Sequence, residues 1–350
     1  MAPPLKLALF GAGNIGARHL SLAAAAADCL VTAVADPADA ARTLAHAHGA
    51  RFYRDADALL ETEATIDGAI VATPNDQHLA VGLACIRRGV PVLMEKPITD
   101  TLSAGEELVT AAKERSVPLA VGHHRRFDPA IEAAREILAG GGIGKLLAIE
   151  CLWAMRKHGT YYDAPWRRQR PSGGPALINL IHDVDLLRYL CGSVIRLNAE
   201  GGAIARDHEV EDTLAVSLRF ASGAVGTILV SDAAPSPWGW ELGTGENPEI
   251  PPTGRNCYRF MGSEGALALP RLEHWRHSED GPANWHHPIH MRTIAAGTRA
   301  ALEHQLKHFC GVVRGEHSPR VSGEDGLRTL RTVLAIQDSL TGGGPITLEQ

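Results

Sequence analysis

Short apolar runs alternate with longer segments of helical periodicity through the first third of the chain. The apolar runs are residues 6–10, 30–35, 68–72, 91–95 and 118–122. Helical segments between them include residues 15–27, 38–47, 76–88 and 103–114. Strands that alternate with helices are typical of βαβ units, whose right-handed crossovers build a doubly wound parallel sheet. The pattern therefore predicts an α/β domain over residues 1–122.

The pattern changes in the rest of the chain. Helices are expected at residues 129–139, 299–313 and 323–340. Longer segments of alternating polarity lie between them, at residues 146–155, 213–220, 224–231 and 257–261. An Ala-Ser-Gly sequence separates two of these segments, which predicts a hairpin. We therefore predict a second, α+β domain over residues 123–350, built on an open and mainly antiparallel sheet.

Composition and charge narrow the class of protein. The 350 residues are 45% hydrophobic and 21% charged, which is ordinary for a globular chain. A formal net charge of -6 argues against a nucleic-acid partner. No apolar segment reaches the roughly 18 residues that a membrane helix requires. The 6 cysteines form no CxxC pair and show no metal-ligand spacing with histidine, so we expect free thiols, no metal site and a cytoplasmic protein.

A glycine-rich motif follows the first apolar run. Gly11, Gly13, Asn14, Ile15 and Gly16 belong to a GxGxxG sequence between a predicted strand and a predicted helix, the context in which this motif indicates dinucleotide binding. The first glycine would permit a tight turn, the second a close approach of pyrophosphate, and the third the packing of helix on strand. The phosphates would lie at the helix N-terminus, where free N–H groups favour an anion.

Asp36 ends the second predicted strand and is the next candidate. A carboxylate at this position can accept hydrogen bonds from the adenosine ribose and would repel a 2′-phosphate, so NAD is favoured over NADP. The alternative is that Asp36, which precedes Pro37, only caps the following helix.

A third candidate segment lies at the end of the run 68–72. Thr73, Pro74 and Asn75 follow this run, and His78 lies one turn into the next helical segment. Ligands of open α/β sheets bind outside the carboxyl ends of the strands, so these residues are expected to border the cofactor. Helix capping alone would also explain Asn75.

Glu95, Lys96 and Pro97 end another apolar run and are expected at the same edge of the sheet. Pro97 favours an extended backbone at Lys96, which would fix the direction of the lysine side chain. Lys96 is therefore a candidate for contact with cofactor and substrate. An exposed lysine at a strand end is the alternative.

A polar group interrupts an otherwise apolar helical pattern after Gly173 and Gly174. Asn179, His182 and Asp183 are spaced to share one helix face. Polar side chains on such a face need a partner or a substrate. Oxidation of an alcohol needs a base for the hydroxyl proton, and histidine titrates in the suitable range. A histidine with its hydrogen bonds satisfied in the core is the alternative for His182.

These motifs, in this order, resemble those of the Gfo/Idh/MocA oxidoreductase family, which includes glucose–fructose oxidoreductase and inositol dehydrogenase. The matching segments are GAGNIG at 11–16, EKP at 95–97, VGHHRRFDP at 121–129, WR at 166–167 and GGPALINLIHDVDLLRYL at 173–190. The resemblance covers essentially the whole chain. It implies an NAD-binding Rossmann domain followed by a domain for substrate binding and oligomerisation, in a homodimer or homotetramer.

The resemblance also implies roles for individual residues. Lys96 and His182 would be the catalytic pair, and Lys96 would contact both cofactor and substrate. Arg167 would reach the cofactor. Glu95 is expected to border the cofactor because of its position at the end of the apolar run. Arg125 would lie near the nicotinamide or the substrate.

One position departs from the family pattern. Many relatives carry an aspartate four residues before the histidine, where this chain has Ile178. Asn179 is the nearest polar residue, and we expect it to position substrate or nicotinamide as part of the catalytic group. Our hypothesis is that Asp183 supplies the missing charge.

The predicted reaction is the reversible oxidation of a secondary alcohol of a sugar, cyclitol or related polyol. His182 would take the hydroxyl proton, Lys96 would stabilise the alkoxide, and hydride would pass to NAD. Trp153 and Trp166 would stack on the substrate, although aromatic residues also commonly fill cores. The alternatives are a dihydrodiol dehydrogenase, an NAD-dependent redox glycosidase and a non-catalytic NAD-binding regulator.

Overall fold

The chain forms two compact units. The computed structural model describes residues 3–170, 172–278 and 282–349. The first unit runs to Phe127 and also contains Ala300–Leu330, and the second contains Asp128–Arg299 and the residues from Arg331 onward. This division differs from the predicted boundary at 122/123, because residues 300–330 return to the first unit.

Strands and helices alternate through the first unit, as the hydrophobic pattern predicts. In chain order they are β1 (Leu5–Phe10), α1 (Asn14–Ala25), β2 (Cys29–Ala35), α2 (Asp39–Ala47), β3 (Arg51–Tyr53), α3 (Ala56–Thr62), β4 (Gly68–Val71), α4 (His78–Arg87), β5 (Val92–Met94), α5 (Leu102–Glu114) and β6 (Leu119–Val121). Every strand and helix predicted in this region is present within a few residues. The hydrophobic pattern does not predict β3 and α3, since both are too short to show a clear period.

The first sheet has the predicted doubly wound architecture. In the described residues its strand order is β3-β2-β1-β4-β5-β6, and every pair is parallel. The direction of winding reverses between β1 and β4. Ligands of such sheets bind outside the carboxyl ends of the strands at this reversal. The fold thus brings the segments after β1, β4 and β5 to one edge.

The remaining elements belong mostly to the second unit. They are α6 (Pro129–Ala139), β7 (Leu146–Ala154), α7 (Pro175–Ile178), α8 (Leu180–Cys191), β8 (Val194–Gly202), β9 (Thr213–Phe220), β10 (Val225–Ser231), α9 (Trp240–Thr244), β11 (Tyr258–Gly262), β12 (Gly265–Leu269), β13 (Glu273–His277), β14 (Ile289–Thr293), α10 (Ala301–Val313), α11 (Gly323–Gly342) and β15 (Ile346–Thr347). The hydrophobic pattern does not predict β8, α9 or β12 to β15, and it predicts a single helix over residues 175–191, which the structure divides at Asn179.

Helix α10 explains why the chain returns to the first unit. Leu306 and Phe309 of this helix lie in one buried cluster with Leu7 and Leu9 of β1. A Cβ on Gly68 of β4 would lie 3.2 Å from the ring of Phe309. The apolar face of α10 therefore covers a face of the first sheet, and burial of apolar side chains is the main favourable term in such packing.

The second sheet is open and mainly antiparallel, as predicted. In the described residues its order is β14-β13-β12-β11-β7-β10-β9-β8-β15, and only β7 and β10 pair in parallel. In β9, Leu214, Val216, Leu218 and Phe220 are buried, while the residues between them are partly or fully exposed. This alternation is expected where one face packs on a core and the other does not.

Some sites and segments are absent from the described part of the chain. No helix there is long and apolar enough to cross a membrane. No group of three or more His, Cys, Asp or Glu residues is placed to hold a metal ion in the same residues. The cysteines are all free and buried.

Candidate active site

The glycine loop between β1 and α1 has the geometry that a dinucleotide-binding turn requires. Gly11 has φ +86°, and a Cβ there would lie 2.5 Å from the carbonyl oxygen of Ala72. A Cβ on Gly16 would lie 2.1 Å from the carbonyl oxygen of Gly11. A Cβ on Gly13 would meet nothing within 4 Å among the described residues outside its own turn. The fold therefore requires Gly11 and Gly16, while Gly13 leaves the backbone open to a pyrophosphate.

The N-terminus of α1 offers a second feature of an anion site. The helix begins with Asn14 and Ile15, and its N-cap residue Gly13 makes no side-chain cap bond. Its first turn carries no acidic residue. Uncapped N–H groups and the helix dipole together favour a negative group at this end. Asn14 and Ile15 thus lie where the sequence analysis expects the phosphates, and the loop fits a dinucleotide.

Asp36 bonds to two main-chain groups at the end of β2. Its Oδ2 accepts from Ala12 N–H at 2.7 Å, and its Oδ1 accepts from Ala38 N–H at 2.8 Å. Ala38 is the N-cap residue of α2, and this helix shows no side-chain cap bond, so Asp36 fixes the residue that precedes the helix without capping its first turn. The carboxylate also holds the glycine loop through Ala12. Each carboxylate oxygen can accept a further hydrogen bond, which leaves room for ribose hydroxyls.

His78 differs from its predicted role as a direct cofactor ligand. Its side chain is fully buried, with Nδ1 2.9 Å from the carbonyl oxygen of Pro97 and Nε2 3.0 Å from that of Thr73. Burial lowers the pKa of His78, so the ring is neutral and donates one of these bonds at a time. His78 therefore joins the loop after β4 to the segment after β5, and it positions Thr73.

Asn75 begins a short turn that leads into α4. The turn, Asn75–Gln77, has Pro74 as its N-cap residue and shows no side-chain cap bond. Helix α4 has Gln77 as its N-cap residue, again without a side-chain cap bond. The capping explanation for Asn75 is therefore not supported. Thr73, Pro74 and Asn75 follow β4 directly, at the edge where the cofactor is expected.

Glu95 is buried beneath the segment that follows β5. Its Oε1 lies 2.8 Å from His19 Nε2, and its Oε2 accepts from Lys96 N–H at 3.2 Å. Burial alone would raise the pKa of Glu95, but the hydrogen bond and charge of His19, with smaller effects of Lys96 and His124, lower it to about 2. Glu95 is therefore an anion that fixes the backbone at Lys96, and its burial argues against direct contact with a cofactor.

His19 is a functional candidate that the sequence analysis misses. It lies on the buried face of α1 together with Gly16, Leu20 and Ala23. A polar residue on the apolar face of an amphipathic helix requires a buried partner, and this pattern is the signal that could have identified it. Through Glu95, His19 connects the helix of the glycine loop with the end of β5.

Lys96 and Arg125 follow adjacent strands of the first sheet. Lys96 is partly exposed after β5, and its peptide bond to Pro97 is cis. Arg125 is 2% exposed in a short turn after β6. Because β5 and β6 are parallel neighbours, both residues lie at the same edge as the glycine loop. The first unit therefore brings Lys96, Arg125 and the loop residues together.

The other predicted residues belong to the second unit, where Asn179 separates α7 from α8. Asn179 is the N-cap residue of α8, and its carbonyl oxygen accepts from His182 N–H at 3.1 Å. Both side chains are partly exposed. His182 thus lies in the first turn of a helix whose start is set by Asn179.

Lys157 is a second residue that the sequence analysis misses. Its Nζ lies 2.6 Å from Asn179 Oδ1 and 3.5 Å from Asp232 Oδ2, and its side chain is 8% exposed. Burial lowers the pKa of Lys157 to about 8, although Asp232 partly opposes this effect. Strongly shifted groups beside candidate catalytic residues are themselves functional candidates. The sequence shows no signal for this contact, which joins the segment after β7 to the start of α8.

Asp183 makes different contacts from Asn179 although their spacing suggests a shared face. It is 1% exposed, and Tyr258 donates its hydroxyl hydrogen to Asp183 Oδ1. A carboxylate buried against β11 is poorly placed to replace the family aspartate. The helix break at Asn179 explains the difference, because it removes the regular spacing on which the prediction rests.

Of the two tryptophans predicted to stack on the substrate, one is exposed and the other is buried. Trp166 is 47% exposed, and Arg167 beside it donates to the carbonyl oxygen of Tyr161 at 2.7 Å. Trp153 is 1% exposed and donates from Nε1 to Glu241 at 2.9 Å. Trp153 therefore packs in the interior, which contradicts its predicted stacking on a substrate. The Trp166 ring remains about half exposed, with the Arg167 guanidinium carbon 5.3 Å from its centroid.

Comparisons with known proteins agree with this architecture. Residues 5–123 match the model of an oxidoreductase family with an NAD-binding Rossmann fold, and residues 131–268 match the model of the GFO/IDH/MocA C-terminal domain. Inositol 2-dehydrogenase 2 of Saccharopolyspora erythraea is 33% identical over 195 residues, which are 55% of this chain and only 55% of that relative. The 1,5-anhydro-D-fructose reductase of Ensifer adhaerens is 30% identical over 300 residues, or 81% of this chain and 80% of the relative.

A solved structure supports the fold independently. The myo-inositol dehydrogenase of Corynebacterium glutamicum superimposes with a TM-score of 0.77 at 24% identity, over 99% of both chains. The ordered motifs, the parallel first sheet and the open second sheet all agree with these matches. The chain belongs to the GFO/IDH/MocA oxidoreductase family.

Proposed function

We propose that the protein is an NAD-dependent dehydrogenase that oxidises a secondary alcohol of a sugar, cyclitol or related polyol. The observation that carries the proposal is the edge of the first sheet, where a dinucleotide-type glycine loop and Lys96 lie at the ends of β1 and β5. The strand between them, β4, holds both segments: Phe10 accepts from Ala72 N–H at 2.7 Å, and Val71 accepts from Glu95 N–H at 2.8 Å. Two relatives named for an inositol and an anhydro-sugar support the substrate class.

The glycine loop and Asp36 would hold the cofactor. The N–H groups at the start of α1 would bind the pyrophosphate, and Asp36 would accept from the ribose hydroxyls. When bound, NAD supplies a nicotinamide ring that accepts hydride. Preference for NAD over NADP rests on the negative charge of Asp36, which repels a 2′-phosphate.

The remaining candidates would act on the substrate. His182 takes the hydroxyl proton, and Lys96 donates a hydrogen bond to the oxygen that loses it. Asn179 orients the polyol, and Trp166 offers a ring face for stacking. Arg125 is 2% exposed, so its predicted contact with the substrate is not part of the proposal. Positioned acid–base groups contribute roughly 10²–10⁴ in rate.

We further propose that the protein forms a homodimer or homotetramer and works in the cytoplasm. Exposed apolar side chains occur on the outer face of the second sheet, for example Val225, Leu229 and Met261, at 47%, 48% and 40%. Apolar side chains grouped on one face are typical of subunit contacts. The free cysteines agree with a reducing compartment. Sedimentation of the purified protein would test the association.

The test is NADH formation by the purified protein with NAD and a panel of inositols, aldoses, glycosides and dihydrodiols. The proposal predicts turnover of one polyol class that depends on Lys96. If only a dihydrodiol is oxidised, the protein is a dihydrodiol dehydrogenase. If the protein binds NAD but forms no NADH with any compound of the panel, a regulator is favoured. Cleavage of a glycoside without net NADH formation would identify a redox glycosidase.

A further inference from the structure

Lys157 makes a combination of contacts that the proposed reaction does not use. Its ammonium group lies 2.6 Å from Asn179 Oδ1 and 3.5 Å from Asp232 Oδ2. The same nitrogen lies 4.2 Å from the centroid of the Tyr161 ring and 5.8 Å from that of Trp153. A buried lysine is costly unless its charge is paired or functional. The contact with Asn179 is the one that reaches a candidate active-site residue.

The chemistry of the two groups fixes the orientation of the Asn179 amide. An ammonium group has three donors and no acceptor, so only the oxygen of an amide can face it. The assignment of Asn179 Oδ1 and Nδ2 therefore follows from chemistry and needs no observed hydrogens. With Oδ1 held by Lys157, the Nδ2 group is directed away from the lysine as a donor.

Asn179 also connects this orientation to the helix of His182. The Asn179 carbonyl oxygen accepts from His182 N–H at 3.1 Å, so the main chain of Asn179 starts the turn that carries the histidine. The side chain and the main chain of one residue thus join Lys157 to the start of α8.

We propose that Lys157 is a positioning residue, whose ammonium group holds Asn179 so that its amide N–H₂ donates to a hydroxyl or carbonyl oxygen of the substrate. The inference rests on the proposed function, since it gives Asn179 its substrate. In this arrangement no carboxylate takes the place of the family aspartate. Asn179 donates to the substrate instead, and the charge of Lys157 holds Asn179 in the orientation that allows it.

The proposal requires the protonated form of Lys157. Asp232, Arg206 and Glu241 are the charged groups that act on it, and the rings of Tyr161 and Tyr162 are the titratable groups beside them. Burial lowers the pKa of Lys157 to about 8. Because the ammonium form exists below this pH, the orientation of Asn179 is lost as pH rises through about 8, when the neutral amine can also accept from the amide.

The first test compares Lys157→Met with Lys145→Met. The methionine keeps most of the apolar stem and removes the charge, and Lys145 is an exposed lysine at the start of the same strand region. We expect kcat/KM of Lys157→Met to fall about 10- to 100-fold, as for loss of a charge-assisted hydrogen bond, with an unchanged Kd for NAD. Lys145→Met should equal the parent. Parent-like kcat/KM in Lys157→Met would overturn the proposal.

A double-mutant cycle separates positioning from general destabilisation. If Lys157 acts through Asn179, adding Lys157→Met to Asn179→Ala causes little further loss in kcat/KM. Fully additive losses would overturn the inference. Should Lys157→Met fail to fold, Lys157→Arg provides the test, because arginine keeps a charge that does not titrate near pH 8. We expect kcat/KM of the parent to fall above pH 8 and kcat/KM of Lys157→Arg to stay constant there. An equal fall in Lys157→Arg would overturn the role of Lys157.

A readout without turnover separates this inference from the proposed function. The side-chain amide signals of ¹⁵N-asparagine-labelled protein, assigned with Asn179→Asp, should titrate near pH 8 in the parent and remain constant in Lys157→Arg. If the parent oxidises no polyol but the Asn179 signal titrates, the proposed function fails and the orientation by Lys157 holds. A signal that does not titrate in the parent overturns the role of Lys157 whatever the substrate.

Discussion

The edge of the first sheet and the cluster around Asn179 hold their functional groups by different means. At the edge, main-chain bonds do most of the positioning: Gly11 N–H donates to Ala35 at 2.8 Å, and Glu95 N–H donates to Val71 at 2.8 Å. Around Asn179, side chains position one another, as in the contact with Lys157 at 2.6 Å. One region is therefore defined by backbone shape, and the other by charge and hydrogen bonding between distant segments.

This difference determines how each region should respond to substitution. A site built from strand ends tolerates few added atoms, because main chain fills the space around it. A site built from side chains tolerates changes of shape but not the loss of a charge or donor. Added atoms should therefore be most harmful at the edge of the first sheet, and loss of a charge or donor should be most harmful around Asn179.

The largest expected effect is on the chemical step of the proposed reaction, to which we assign Lys96 and His182. Lys96→Ala and His182→Ala should each reduce kcat/KM by roughly 10²–10⁴, because one removes the group that stabilises the alkoxide and the other the group that accepts the hydroxyl proton. Steady-state NADH formation measures this loss. Lys145→Ala and His286→Ala, at exposed positions, serve as matched controls. Turnover of either site variant within a few-fold of the parent would remove that residue from the mechanism.

The same contrast explains what could be predicted from sequence. The glycine loop, Asp36 and Lys96 follow apolar strands, so short motifs and hydrophobic periodicity locate them. The packing of α10 on the first sheet could not be predicted, since its apolar face is compatible with either unit. Strand β3 is three residues long and carries no usable period.

In the second unit, local sequence is less informative. The pattern from residue 175 to 191 is helical throughout, and nothing in it indicates the break at Asn179. The burial of Asp183 depends on Tyr258, which lies 75 positions later in the chain. The Lys157 contact likewise joins residues 22 positions apart in different elements. Such contacts depend on the tertiary fold, which periodicity does not describe.

A second prediction concerns Glu95, a buried charged residue at the edge of the first sheet. Its pKa in the fold is about 2 and its ordinary value is 4.5. The ionised carboxylate therefore stabilises the folded state by about 3 kcal/mol above pH 4.5, and this contribution is lost as pH falls from 4.5 toward 2. Glu95→Gln should lower the thermal midpoint at neutral pH.

The pH dependence of the midpoint distinguishes this effect from simple loss of packing. Glutamine is nearly isosteric and does not titrate, so the midpoints of Glu95→Gln and the parent should approach each other below pH 4.5. Glu107→Gln is a suitable control, because Glu107 is exposed on α5. A constant difference between parent and variant from pH 7 to pH 3 would show that the charge of Glu95 is not the stabilising feature.

A third prediction separates stability from cofactor binding within the glycine loop. Gly16→Ala places a Cβ 2.1 Å from a carbonyl oxygen, so it should destabilise the fold by about 1–3 kcal/mol or more. Gly13→Ala meets open space, so it should keep the parent's thermal midpoint and weaken NAD binding by blocking the pyrophosphate. Melting curves and NAD titrations of both variants test this. Equal NAD affinity in Gly13→Ala and the parent would place the pyrophosphate elsewhere.

The smallest expected effect concerns the choice between NAD and NADP. Asp36→Asn keeps the shape and an acceptor for the N–H of Ala12 or Ala38, but it removes the charge that opposes a 2′-phosphate. The ratio of the two dissociation constants should shift toward NADP by roughly 10-fold, since unfavourable charge contacts cost on the order of 1 kcal/mol or more. Titrations with both cofactors measure the ratio. If the ratio stays constant while the thermal midpoint falls, the Asp36 carboxylate acts only by holding the N–H groups of Ala12 and Ala38, and it has no part in the choice between the two cofactors.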